Sequence, residues 1–218
     1  YVSFPNLNLP EVEFTGSDDE FDDAGQKAMQ EEIESIALKV REHWHLDLAP
    51  IKDIQLILEE NGIIVTGFDT KDCKIDAFSQ RTLIDDGDVF FVAVALGEKP
   101  KGRIFFDMAH ELGHILLHPW SESLDLISKE DFKMREMQAN MFASAFLLPR
   151  ESFLQEIQAY PTDLNYYLHL KKRWNCSIQA MIYRAHQLGA ITDNQYQYMM
   201  RQVSKKGWRT KEPGDSPY

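Results

Sequence analysis

The chain has 218 residues, of which 44% are hydrophobic and 27% charged, and its net charge is −12. This composition fits one good-sized globular domain, or a domain with a small helical appendage, and excludes collagen-like and intrinsically disordered chains. No apolar run reaches the roughly 20 residues that span a bilayer, and no signal peptide opens the sequence. The sequence therefore predicts a cytoplasmic protein that does not contact membranes.

The charge is unevenly distributed along the chain. Residues 1–70 hold four basic and sixteen acidic side chains, whereas residues 171–218 hold nine basic and three acidic ones. A basic end can contact nucleic acid, or it can complement an acidic front within the same molecule. Because an acidic protein is repelled by phosphate, we favour internal complementarity. Direct DNA contact through the basic C-terminal region is the alternative.

The pattern along the chain predicts three parts. Residues 1–23 contain two prolines and an acidic cluster at 18–23, which indicates a linker or extended arm. Residues 24–150 form the predicted main domain, and residues 151–218 a helical C-terminal subdomain. The first residue is not Met, so we expect a fragment of a longer chain or a processed product.

The main domain is predicted to begin with helices and to continue with strands. Apolar residues recur at three- and four-residue steps from Ala24 to Trp44, and a second helix is expected from Pro50 to near Gly62. Short runs rich in β-branched and aromatic residues predict strands at 63–68, 75–79, 81–84 and 89–96. The expected fold class is α+β, in which a small antiparallel or mixed sheet packs on the next helix.

The second half of the sequence is predicted to be helical. One helix is expected from Arg103 to His118, ended by Pro119, and another from Lys133 to Leu148, ended by Pro149. Further helices are expected near 151–158, 162–174, 178–188 and 193–204. Ser177 is a candidate N-cap, and Gly189 is a candidate C-terminal stop.

His110 to His114 reads His-Glu-Leu-Gly-His, an HExxH run within the predicted helix 103–118. Residues four apart lie on one face of a helix, so both imidazoles can bind the same metal ion. Glu111 lies beside them and can take a proton from a water that the metal activates. The run predicts the site of a zinc hydrolase.

A catalytic zinc needs a third protein ligand, and Glu136 is the predicted one because it lies on the next helix. His118 is the alternative third ligand, because it lies four residues after His114, as His114 lies four residues after His110. A straight helix would place it about 12 Å along the axis from His110, so only a break after His114 would allow it to bind. Asn140, one turn after Glu136, is expected to orient a ligand histidine. The spacing resembles the thermolysin-like arrangement, which has Asp where this sequence has Asn.

Two blocks of this sequence together resemble the ImmA/IrrE family of bacterial metallopeptidases. The first runs from Phe106 to His118, and the second from Glu136 to Ala143, followed by Leu147-Leu148-Pro149. The core of the resemblance spans about residues 75–150. It implies a zincin-like domain, and many relatives place an XRE-type DNA-binding domain in front of it.

The resemblance also implies the chemistry. His110, His114 and Glu136 match the metal ligands, and Glu111 matches the catalytic glutamate. Zn²⁺ is the expected ion, at one per chain, although this ligand set does not exclude other divalent ions. The implied substrate is a helix-turn-helix repressor of the XRE type, cut at a limited number of bonds.

We therefore predict a zinc endopeptidase that regulates transcription by cutting a repressor. The alternative is a non-proteolytic regulator or sensor whose peptidase-like domain binds a partner protein or DNA. The predicted strands 75–79 and 89–96 are both candidates for holding an extended substrate at a sheet edge. The oxyanion-stabilising residue stays open among Tyr166, Tyr167, His169, Tyr183 and His186.

Overall fold

The structure is a computed structural model that describes residues 4–16, 23–69, 75–84, 87–97, 99–120, 127–216 and 218. Residues 18–22 of the acidic cluster lie outside these ranges. The helices are α1 (Asp23–His43), α2 (Ile54–Glu60), α3 (Lys101–Leu117), α4 (Lys129–Leu147), α5 (Arg150–Ile157), α6 (Leu164–Trp174), α7 (Ile178–Gln187) and α8 (Asp193–Lys205). The strands are β1 (Ile63–Phe68), β2 (Ala77–Ile84) and β3 (Gly87–Ala95). The fold is α+β, as predicted.

The three strands form a mixed sheet in the order β1-β3-β2. β1 runs parallel to β3, with Ile63 opposite Phe90, and β2 runs antiparallel to β3, with Ala77 opposite Val94. The two predicted strands at 75–79 and 81–84 are a single strand. Since β3 is paired on both sides, β2 is an edge of the described sheet, and only β2 of the two candidate strands can accept an extended peptide.

Two helices begin at places that differ from the prediction. Helix α2 begins after Asp53, whose carboxylate accepts a hydrogen bond from the Leu56 amide, and not at Pro50. Helix α4 begins four residues before the predicted Lys133, because Ser128 caps it by accepting from the Asp131 amide. Both caps satisfy amides that the first turn of a helix leaves unpaired. Glu136 consequently lies in the third turn of α4.

Helices α3 and α4 approach each other closely at Gly113, inside the HExxH run. A Cβ atom at this position would lie 3.1 Å from the Cα atom of Ala139 and 3.2 Å from its carbonyl oxygen. These are backbone atoms, which cannot move aside as a flexible side chain can. Glycine therefore permits the helix contact that brings the first half of α4 against the histidines.

The C-terminal helices share one apolar core with the rest of the chain. Buried residues of α1, β3, α3 and α4 form a single cluster with those of α6, α7 and α8. Ser177 caps α7 by accepting from the Ala180 amide, and Gly189 follows this helix with a φ of 71°, both as predicted. No helix among the described residues is long and apolar enough to cross a membrane. The cytoplasmic location and the division at residue 150 stay predictions.

Candidate metal centre

The structure brings His110, His114 and Glu136 together, although they lie on two helices. Nε2 of His110 is 3.0 Å from Nε2 of His114, and the Glu136 carboxylate oxygens lie 3.4 Å and 3.1 Å from these two atoms. These three residues are the only group of at least three such side chains, within the described part of the chain, whose ligand atoms converge in this way. This group is a candidate metal centre, and we refer to it below as the metal centre.

The spacing of these atoms suits a small divalent cation. Zinc binds nitrogen and oxygen at about 2.0–2.1 Å in a tetrahedron, which separates neighbouring ligand atoms by about 3.3 Å. The observed separations of 3.0–3.4 Å fall around that value. The polar contacts with His110 and His114 also hold the pKa of Glu136 below its usual value, so its carboxylate is negatively charged at neutral pH. Two imidazoles and one carboxylate are a donor set typical of catalytic zinc sites.

His110 is held by Asn140, one turn after Glu136 on α4. The Asn140 side-chain amide nitrogen donates to the Glu136 carbonyl at 2.7 Å, which directs its oxygen towards His110. That oxygen lies 3.2 Å from Nδ1 of His110. Burial lowers the pKa of His110, but Glu136, Glu111 and Asn140 together raise it above its usual value. Asn140 therefore lies where an orienting neighbour of His110 is expected.

Glu111 is buried beside the histidines and is held by the sheet. The hydroxyl of Ser79, on the edge strand β2, donates to Oε2 of Glu111 at 2.6 Å. Burial raises the pKa of Glu111, against the opposing effects of the Ser79 hydrogen bond and the nearby His114. Sequence reasoning missed Ser79, because a serine in a predicted strand carries no local signal of its partner.

His118 does not join the metal centre. It follows the last residue of α3 in an extended conformation, and its ring folds back onto the histidine one turn earlier. Nδ1 of His118 is 2.9 Å from Nδ1 of His114, and its Nε2 is 3.0 Å from Oε1 of Gln138. Burial, and then the proximity of His114, lower the pKa of His118 to about 4, so its ring is neutral at pH 7.

Comparison with known proteins agrees with this geometry. Residues 90–186 match the family model Peptidase_M78, described as the IrrE N-terminal-like domain. Residues 90–186 are an IrrE-like domain. This part of the chain is therefore similar to a peptidase family, in agreement with the ImmA/IrrE resemblance of the two sequence blocks.

The chain was also compared with curated proteins and with solved structures. No curated protein sequence matches the chain. Among solved structures, a Mycobacterium tuberculosis transcriptional regulator is similar at 20% identity and a TM-score of 0.46, over 71% of this chain. The similar part is 46% of that protein, so the chain corresponds to less than half of its length.

Two cavities meet at Glu111 and Glu136, and both are lined by residues of strand β2 as well as of helix α3. One, of about 660 Å³, is lined mainly by polar side chains that include Asp76, Arg103 and Asp107. The other, of about 420 Å³, is mostly apolar, and its lining includes Phe78, Trp120, Phe132 and the metal-centre residue His114. The metal centre thus lies where a polar and an apolar recess join, along the side of strand β2.

Of the five candidates for oxyanion stabilisation, Tyr183 shares a cavity with a residue of the metal centre. It lines a third cavity, of about 560 Å³, together with Glu136 and Asn140. Tyr166 and Tyr167 instead donate to the carbonyls of Glu156 and Pro161. His186 pairs with Asp193 and stacks on Tyr196, and His169 is exposed on α6.

Proposed function

We propose that the chain is a zinc-dependent endopeptidase that makes limited cuts in an XRE-type transcriptional repressor. The observation that carries this proposal is the convergence of His110, His114 and Glu136 beside the buried Glu111. Membership of the IrrE-like domain in a peptidase family supports the reaction class. The repressor, as the substrate, follows from the ImmA/IrrE resemblance.

The three residues of the metal centre would hold the ion. When bound, zinc acts as a Lewis acid that lowers the pKa of water to about 7 and polarises a carbonyl oxygen. Glu111 takes the proton of the attacking water and then delivers it to the nitrogen of the leaving amine. A carboxyl whose pKa is raised by burial suits this exchange, because it accepts and releases a proton nearer to neutral pH.

The position of β2 supports a peptide as the substrate. An extended chain can add to an exposed sheet edge through main-chain hydrogen bonds. Since Ser79 belongs to β2 and donates to Oε2 of Glu111, a peptide paired with this strand would pass close to the carboxylate. Ser79 occupies Oε2, so we assign proton transfer to Oε1. The apolar and polar cavities would then receive side chains on either side of the cut.

The test is digestion of an XRE-type repressor encoded next to this protein, analysed by mass spectrometry. We expect one cut that EDTA abolishes and zinc restores. The matched variant Glu111→Gln should retain one zinc per chain and lose cleavage by about 10²- to 10⁴-fold, the usual contribution of a general base. Cleavage by Glu111→Gln at the native rate would contradict the role of Glu111. A chain that binds no zinc and makes no cut in induced cells would favour the non-proteolytic regulator.

A further inference from the structure

We infer that His118 and Gln138 form a hydrogen-bonded chain that holds His114 in the ring orientation and tautomer required for metal binding. This inference rests on the proposed zinc site. It assigns a positioning role to two residues that do not themselves touch the ion. The histidine set aside as a ligand thereby gains a function in the same site.

The chain of hydrogen bonds begins at Gln138 on α4. Its side-chain amide is buried, and its Nε2 lies 3.5 Å from the sulfur of Met29, a weak acceptor. The amide oxygen therefore faces the other way, towards Nε2 of His118 at 3.0 Å. Because this oxygen can only accept, Nε2 of His118 carries a proton and donates it to Gln138.

The tautomer of His118 determines that of His114. With its proton on Nε2, His118 presents a lone pair at Nδ1, which lies 2.9 Å from Nδ1 of His114. His114 must then donate from Nδ1, which leaves the lone pair of its Nε2 free. That atom is the one that lies 3.1 Å from the Glu136 carboxylate and 3.0 Å from Nε2 of His110.

Both histidines of the metal centre thus have a hydrogen-bond acceptor facing Nδ1. The oxygen of Asn140 faces Nδ1 of His110, just as the nitrogen of His118 faces Nδ1 of His114. Histidines that ligate a metal usually donate their other N–H to such an acceptor, which fixes the ring and raises its basicity. The end of α3 makes this possible, because the extended backbone of His118 turns its ring back over the preceding turn.

The geometry also explains why His118 is not a third ligand. Both of its ring nitrogens already have partners in the protein, His114 on one side and Gln138 on the other. A ring that bound the ion would have to give up one of these hydrogen bonds. Simple stacking of the two rings would need neither nitrogen to point at a partner, whereas both do.

The experiment measures zinc affinity by competition with a chromophoric chelator, so it does not depend on cleavage. His118→Phe keeps an aromatic ring and removes the acceptor, and we expect its zinc affinity to fall by about 10- to 100-fold. His118→Gln restores an acceptor and should bind zinc nearly as tightly as the native protein. Gln138→Leu removes the acceptor at the other end of the hydrogen-bonded chain and, like His118→Phe, should lower zinc affinity. His169→Phe, at an exposed position of α6, is the matched control and should not change affinity.

A spectroscopic readout separates positioning from packing. Two-bond ¹H–¹⁵N correlation spectra of the zinc-loaded protein should show His114 protonated at Nδ1 and His118 protonated at Nε2. Circular dichroism and thermal melts verify that each variant is folded. If His118→Phe fails to fold, Gln138→Leu and the native spectra decide the question.

Two zinc-affinity results would overturn the inference. One is a folded His118→Phe protein with native zinc affinity, and the other is an equal loss in His118→Phe and His118→Gln. A native chain that binds no zinc would instead contradict the proposed function, so the two failures are distinguishable. His118 protonated at Nδ1 in the loaded protein would also exclude the proposed chain of hydrogen bonds.

Discussion

Two of the clusters that bring carboxylates and nitrogen-bearing side chains together in this molecule differ in what completes them. In one, which we call the tail anchor, the Lys171 ammonium pairs with Glu212 and Asp215. Glu212 also accepts hydrogen bonds from the backbone amides of Ile178 and Gln179 at the start of α7. The tail anchor therefore contains its own cation and its own donors.

The metal centre is arranged in the opposite way. Its two imidazoles and one carboxylate direct lone pairs towards a common point, while their other polar atoms are held by Asn140 and His118. When bound, a metal cation would supply the positive charge that balances the Glu136 carboxylate. A cluster whose charges are paired within the protein contributes to the stability of the fold, whereas ligand atoms that converge on one point can bind a cation. Substitutions in the tail anchor should therefore change stability, and substitutions in the metal centre should change zinc affinity.

The largest effect is expected when a ligand of the metal centre is removed. His114→Ala should lower zinc affinity by about 100- to 1000-fold, because a total binding energy of about 10–16 kcal/mol is shared among a few ligands. Calorimetric titration with zinc measures this change. His169→Ala, an exposed histidine of α6, is the control. Equal zinc binding by His114→Ala and the native chain would contradict the proposed ligand set.

A substitution in the tail anchor should lower the free energy of unfolding and leave zinc affinity unchanged. Lys171→Met leaves two largely buried carboxylates without their cation and should lower the free energy of unfolding by about 3 kcal/mol. Lys172→Met, at the adjacent exposed position, should change it by no more than about 0.5 kcal/mol. Urea denaturation provides the comparison. A large loss of zinc affinity in Lys171→Met would show that the two clusters are not independent.

Zinc itself should stabilise the folded chain. At a free zinc concentration of 100 times the Kd, the expected gain is about 2.7 kcal/mol, provided that the unfolded chain does not bind zinc. Lys171→Met should gain the same amount, and His114→Ala should gain almost nothing at that concentration. Thermal melts with and without zinc test all three proteins. Equal stabilisation of His114→Ala would mean that zinc binds elsewhere.

The smallest effect is expected at the residue that orients His110. Asn140→Ala removes the oxygen that faces Nδ1 of His110 and should weaken zinc binding by about 10-fold. Asn140→Asp keeps the acceptor and adds a charge, so its affinity should equal or exceed that of the native chain. Chelator competition resolves both changes. A loss of equal size in the two variants would indicate that Asn140 only packs between the helices.

The spacing of residues along the sequence was sufficient to predict most of the helices and strands and the three residues of the metal centre. The HExxH run and the Glu136 block were each predicted to be helical from their spacing and the proline that follows. The structure places them on α3 and α4, which pack together at Gly113. Starts of helices were less accurate, since the caps Asp53 and Ser128 act through single side-chain hydrogen bonds. The single strand β2 was predicted as two pieces, 75–79 and 81–84, with the polar Gln80 left between them. Arg81 pairs across the sheet with Asp88, a contact that local sequence does not encode.

The surroundings of the site were harder to predict than its core. Ser79 contacts Glu111 only because β2 lies along α3, and Gln138 contacts His118 only because α4 crosses the end of that helix. Such contacts depend on how distant elements pack and not on spacing along the chain. The basic excess of residues 171–218 is likewise partly internal, since Arg184 is buried against Glu34 and the Leu148 carbonyl.

Anomalous diffraction at the zinc absorption edge, from crystals of the zinc-loaded chain, tests the central claim most directly. One peak per chain is predicted, about 2.0–2.1 Å from Nε2 of His110, Nε2 of His114 and a carboxylate oxygen of Glu136. His118 should lie beyond bonding distance of that peak, with its hydrogen bond to His114 retained. A zinc ion bound at other residues, or bound through His118 in place of Glu136, would contradict the account.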